Sequence, residues 1–266
     1  MDYLSQLESR SIYIIREAYS LFSNVALLWS IGKDSTSLLW ITRKAFFGEI
    51  PFPVIHIDTS FKFEEIYEFR DKYADIWQLD LRISRNEEAL RQGISPDKEK
   101  LECCNALKTE ALKATLKENG FQALILGIRR DEHGIRAKER YFSPRDTHFT
   151  WNYRNQPAEL WDSYSSSSAE GHHFRVHPML HWTEVDIWRY VLREKIPVVD
   201  LYFAKHGQRY RSIGCKTCCK TVPSKANTLG KVIREIEASK ISERAGRAQD
   251  KEDVYTMQKL RSLGYM

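Results

Sequence analysis

The chain has 266 residues, 42% of them hydrophobic, enough for one large α/β domain with a small appendage. No apolar run approaches the ~20 residues of a membrane span, and the opening Met1-Asp2-Tyr3 lacks the basic-then-apolar pattern of a secretory signal. A soluble cytoplasmic protein with no membrane partner is therefore expected. The net charge of +5 is unevenly placed: residues 205–266 hold 14 Lys and Arg against 6 Asp and Glu, whereas the first 204 residues carry −3. A basic tail suits a polyanionic partner such as DNA, and equally a solvated charged surface.

Residues 3–22 place Leu4, Leu7, Ile14, Ile15 and Ala18 on one helical face, with Asp2 positioned to cap the start. Residues 25–29 form an apolar run of strand length. The stretch Ser30-Ile31-Gly32-Lys33-Asp34-Ser35-Thr36 follows, and residues 38–41 read as the first turns of a helix. A strand, a tight glycine turn and a helix N-terminus together make an anion site. Free backbone N–H groups and the positive end of the helix dipole face the turn. Lys33 adds a full charge, and Ser30, Ser35 and Thr36 add hydroxyls. Only one glycine is present and Asp34 follows the lysine, so this is not G-x-x-x-x-G-K-[ST].

A second apolar run, residues 53–57, ends in Asp58 and Thr59. Ligands sit at the carboxyl ends of strands in open parallel sheets, which makes these two candidates and leaves His56 as a core residue. Residues 63–73 read as a helix, 79–83 as a strand, 84–102 as a loop and 103–119 as a helix closed by Gly120. Residues 123–126 form a third buried strand running into Gly127, Arg129 and Arg130. The alternation of strand and helix predicts a mainly parallel sheet with helices on both faces. Residues 163–168 form a serine-rich loop, and Thr183 with Asp186 forms a capping box. Residues 205–228 read as irregular, and a charged helical tail starts near residue 229.

Five cysteines fall in two groups, Cys103-Cys104 and Cys215-x-x-Cys218-Cys219. An odd count without a signal sequence argues against a disulfide framework. Cys103, Cys104, Cys215 and Cys218 offer four thiolates for a [4Fe–4S] cluster or zinc, with Cys219 as spare or sulfur carrier. Buried free thiols are the plainer alternative.

The S-x-G-K-D-S loop resembles the pyrophosphate-binding loop of the N-type ATP pyrophosphatases. Arg129-Arg130-Asp131-Glu132, Arg136-Ala137-Lys138-Glu139-Arg140, Trp182-Thr183-Glu184 and Ser242-Glu243-Arg244 extend the likeness over most of the chain. Together they resemble the small, ATP-binding subunits of bacterial sulfate adenylyltransferases. The resemblance implies an adenine-nucleotide α-hydrolase-like fold over residues 1–204, with residues 205–266 as a cysteine-containing loop and basic tail. It implies ATP at residues 30–36, Asp58 and Gly127, with Mg²⁺. In the chemistry it implies, an acceptor oxyanion attacks the α-phosphorus and pyrophosphate leaves. Lys33, Asp34, Arg129 and Arg130 then serve catalysis, and Arg136, Lys138 and Arg140 hold the acceptor.

The cysteines depart from the sulfate-activating pattern. They resemble the iron–sulfur ligand set of adenylylsulfate reductases, and similar ones occur in ATP pyrophosphatases of DNA phosphorothioation systems. No catalytic cysteine follows Cys219, which removes the reductase reading. The sequence alone therefore favours activation of a DNA phosphate for phosphorothioation, with a cysteine desulfurase and other phosphorothioation proteins as partners. Sulfate adenylylation with a GTPase subunit is the alternative. An ATP-binding scaffold without turnover is the third reading, and the intact Lys33 and arginine set argue against it.

Overall fold

The computed structural model describes residues 1–134, 136–165, 172–241 and 243. Its centre is a six-stranded sheet: β1 (Val25–Leu28), β2 (Val54–Ile57), β3 (Leu81–Ser84), β4 (Ala123–Ile125), β5 (Phe142–Arg145) and β6 (His173–Val176). The spatial order is β3-β2-β1-β4-β6-β5. All neighbours run parallel except β5, which is antiparallel to β6. Every residue of β1, β2, β4 and β6 is buried. Successive side chains of a strand point to opposite faces, so both faces of the sheet centre are covered.

Helix α1 (Tyr3–Leu21) starts at Asp2, whose carboxylate accepts the Ser5 N–H at 2.8 Å, and buries Leu7, Ser11, Ile14, Ile15 and Ala18. It packs on α2 (Lys33–Ala45), which packs in turn on α7 (Glu184–Glu194). The capping box expected at Thr183 and Asp186 opens α7, with both reciprocal bonds formed. Helix α3 (Glu64–Ile76) follows β2.

The stretch at 84–102 is not a plain loop. Asn86 caps a short helix α4 (Glu87–Arg91), accepting the Ala89 N–H at 3.1 Å, and α5 (Lys100–Cys104) begins before residue 103. The helix expected over 103–119 is divided by a π-helical turn, Asn105–Glu110, before α6 (Ala111–Asn119). Gly120 closes it in the left-handed conformation, φ 63°.

Beyond residue 204 the irregular reading holds apart from a two-residue antiparallel pair, β7 (Gln208–Arg209) with β8 (Val222–Pro223). Helix α8 (Leu229–Ala238) packs on α7 and adds Val232, Ile233 and Ile236 to the same core as the sheet. Most of the basic tail, 244–266, and part of the serine run, 166–168, lie outside the described residues. Among the described residues no helix is long and apolar enough to cross a membrane.

Candidate active site

The sheet order reverses direction around β1: β2 lies on one side and β4 on the other. The crevice at such a switch point, beyond the strands' carboxyl ends, is where open α/β sheets place ligands. A cavity occupies it. Its walls include Ser30, Gly32, Lys33, Asp34 and Ser35 from the first loop and Gly127 from the end of β4.

The loop is held rigidly. Ile31 takes a left-handed backbone, φ 65°, at a β-branched residue, a conformation disfavoured by roughly 1–2 kcal/mol. Local bonds compensate: Ser35 Oγ donates to the Gly32 carbonyl at 3.1 Å, and Ser30 and Ser35 hydroxyls meet at 3.0 Å. Trp29 Nε1 donates to Thr36 Oγ1 at 3.1 Å, which puts Thr36 behind the loop. The Lys33 N–H, one of the orphan donors of the α2 N-terminus, donates to Tyr202 Oη at 2.9 Å.

Gly127 is required by close approach. A Cβ there would lie 3.1 Å from the Asp34 carbonyl carbon and oxygen and from Ser35 Cα, all of them backbone. Gly127→Ala is therefore expected to cost about 1–3 kcal/mol by overpacking and to weaken binding and turnover at this cavity. Urea unfolding and steady-state kinetics read the two effects.

Lys33 and Arg129 are fully buried and belong to one ion network. Lys33 Nζ donates to Asp34 Oδ2 at 3.0 Å and to Glu243, 210 residues further along the chain. Arg129 pairs with Asp34, with Asp131 at 2.9 Å and with Glu243 at 2.5 Å. Burial opposes the charge of Glu243, but Lys33 and Arg129 outweigh it and hold its carboxyl far below the usual range.

Several other expected site residues sit elsewhere. Asp58 does not face the cavity. Its carboxylate takes bonds from Arg85, Tyr67 at 3.0 Å and the Ser60 N–H at 2.8 Å, which overcome burial and lower its pKa. Arg136 does line the cavity and pairs with Glu132. Arg130 stacks over Tyr141 at 5.1 Å and exposed Lys138 over Tyr153 at 5.3 Å, while the Arg140 carbonyl accepts from His177 Nδ1 at 2.8 Å. None of these three is on the cavity wall.

The cavity also includes residues that the motif reading did not assign: Lys62, Lys108, Glu132, Tyr202 and Glu243. Lys62 follows β2 by a few residues. Burial pushes its ammonium pKa down to about 8; Lys108 and Arg70 act the same way, and Cys215 and Asp58 oppose.

The cysteines converge without forming a metal site. Among the described residues no group of three or more His, Cys, Asp or Glu side chains is placed to hold a metal ion. Cys103 packs with Ala89 and Leu107, and burial, with Cys104, Cys215 and Cys218 nearby, pushes its thiol up to about 12. Cys215 Sγ lies 3.2 Å from Thr59 Oγ1, and Cys219 Sγ accepts the Gly214 N–H at 2.9 Å. No four-thiolate [4Fe–4S] or zinc site is shown among the described residues.

Comparison with known proteins agrees with this geometry. The Phosphoadenosine phosphosulfate reductase domain matches residues 24–221. The sulfate adenylyltransferase subunit 2 of Proteus mirabilis is 40% identical, the alignment covering 100% of this chain and 98% of that protein. Among solved structures, a phosphoadenylyl-sulfate reductase from Candida auris superposes with a TM-score of 0.56 at 17% identity, over 83% of this chain and 98% of that one. An FMN adenylyltransferase from Candida glabrata, solved with ATP, superposes with a TM-score of 0.55 at 20% identity, over 80% of this chain and 61% of that one. These two likenesses establish the fold, the adenine-nucleotide α-hydrolase type. With the domain match and the full-length relatives, they place the chain in the phosphoadenosine phosphosulfate reductase domain family.

Proposed function

We propose that the chain is the ATP-binding subunit of a sulfate adenylyltransferase, an adenylyl-transferring enzyme of sulfur metabolism. The observation that carries this reading is a single cavity with the loop of Lys33 on one wall and further cations on another. The full-length likeness to proteins named sulfate adenylyltransferase subunit 2 supports it. A sulfate oxygen attacks the α-phosphorus of ATP. The new P–O bond forms as the bond to the β-phosphate's bridging oxygen breaks, and pyrophosphate leaves with that electron pair.

Developing charge on the leaving group is met by Lys33 and by the N–H groups at the start of α2. Gly127 lets the end of β4 close against that turn. Mg²⁺ carried by the ATP phosphates would neutralise charge there and would need few protein ligands. The name subunit 2 in the relatives points to a partner subunit, for which a GTPase is proposed.

The rival acceptor, a DNA phosphate in phosphorothioation, rested on the cysteines and the basic tail. No metal-holding group of cysteines is found among the described residues and 244–266 lie outside them, so neither adds support, nor does any observation favour a cysteine desulfurase partner. The test is pyrophosphate release with ATP plus sulfate, DNA or no acceptor, with and without the partner subunit. Sulfate-dependent release with adenylyl sulfate as product is expected. Stimulation by DNA and not by sulfate would overturn the reading.

A further inference from the structure

The two substrates of the proposed reaction are both polyanions, so the acceptor needs cations that the phosphates do not consume. Of the cations on the cavity wall, Lys33 is engaged by Asp34 and Glu243, and Arg136 by Glu132. Lys62 differs. Among the described residues no carboxylate lies within ion-pair distance of it, and Lys108 on the same wall repels it. A half-buried ammonium with no carboxylate at ion-pair distance gains from an anion arriving from outside.

Its place in the fold sets what that anion meets. Lys62 stands between the carboxyl end of β2 and the start of α3, and Lys33 just after the carboxyl end of β1. These strands are hydrogen-bonded neighbours, Leu28 opposite Ile55. Neighbouring strands lie about 4.8 Å apart, so the two lysines enter the cavity from adjacent strand ends. The segment is anchored from the other side, where the Lys216 N–H donates to the Phe61 carbonyl at 2.8 Å and Cys215 meets Thr59. This fixes the backbone on which Lys62 stands.

We infer that Lys62 binds the acceptor oxyanion, a tetrahedral dianion of the sulfate class, and holds it beside the phosphate loop. The assignment rests on the sulfate reading above. It moves acceptor binding away from Lys138 and Arg140, which are off the cavity wall, to a residue at the end of β2.

The test compares Lys62→Met and Lys62→Arg with the unaltered protein, in complex with its partner subunit. Sulfate and ATP are varied separately, and thermal unfolding is followed with and without inorganic sulfate. Lys62→Met should raise the KM for sulfate by about tenfold or more, the usual scale for losing a charge-assisted bond. The KM for ATP should move less than about twofold. Lys62→Arg should recover most of the loss, and the rise in Tm produced by sulfate should vanish in Lys62→Met.

An unchanged sulfate KM in a sulfate-dependent enzyme would overturn the inference and leave the sulfate reading standing. An equal rise in both KM values would also overturn it, since that marks a general disturbance of the cavity. If the unaltered protein shows no sulfate-dependent turnover, the sulfate reading falls. A Lys62-dependent Tm rise with sulfate would then still support an oxyanion site, and its absence would end that too.

Discussion

Lys33→Ala should lower pyrophosphate release by about 10²-fold or more, the scale for removing a donor aimed at developing charge. The loop backbone should persist, because its shape rests on the Ser35 to Gly32 bond, the Trp29 to Thr36 bond and the packing of α2, not on the lysine side chain. The far-UV circular dichroism spectrum should therefore match that of the unaltered protein. The loss should appear mainly in kcat, since the charge Lys33 opposes grows as the bond to pyrophosphate breaks. Near-normal turnover in a folded variant would remove Lys33 from the mechanism.

Arg129→Met should be the most destabilising single change considered, by about 3–5 kcal/mol. Arg129 is fully buried and touches Asp34, Asp131 and Glu243. Removing it leaves Asp34 and Glu243 with Lys33 alone in this network, and Asp131 without its arginine. The cost is that of uncompensated buried charge, so Glu243→Gln added to Arg129→Met should recover part of it, a coupling that a double-mutant cycle measures.

The pH dependence has a definite sign. A carboxyl held below its unfolded value contributes stability that is present above about pH 4.3 and is lost as pH falls toward its folded value. Acid unfolding of Glu243→Gln should thus be shallower than that of the unaltered protein. A loss below about 1 kcal/mol for Arg129→Met in urea unfolding would sink the network's structural role.

How much of this was legible in the residues depends on where each signal lies. The phosphate loop was readable because strand, turn and helix start are contiguous, and each leaves a local mark. Strands β5 and β6 escaped because Arg145 and Arg175 occupy them and are nonetheless buried. Arg145 is accommodated by Glu139 at 3.0 Å and by Ser143, partners that no apolar pattern announces. The arginine-rich motif near 129–140 was found, but its residues diverge: Arg129 and Arg136 turn inward to carboxylates, while Arg130 and Lys138 lie on aromatic rings.

Lys62 carried no motif of its own. Its place at the end of β2, the strand beside β1, is a product of topology, as strand order is not written locally. The cysteine spacing was a real pattern and did bring Cys103 near Cys215 and Cys218, yet no metal-holding group results among the described residues. The Ser-Glu-Arg signature at 242–244 marked a family likeness. Only the three-dimensional return of the chain, 114 residues beyond Arg129, gives Glu243 its partners.

Glu243 means that the phosphate loop carries an anion of its own. On the reading proposed above, phosphate oxygens arriving at Lys33 would meet a carboxylate already there, and ATP binding and the Lys33–Glu243 pair would be thermodynamically linked. The linkage is reciprocal: whatever factor the carboxylate takes from the affinity for ATP, ATP takes from the hold of the carboxylate. Before ATP arrives the loop is already charge-compensated. Small anions such as chloride or inorganic phosphate then gain little by entering. A ligand that brings several phosphate oxygens together with a base and a ribose would draw on contacts the carboxylate does not make and so compete with it better. Selectivity for a nucleotide over the simple anions of the cell would then follow from one glutamate placed on the far side of the sequence.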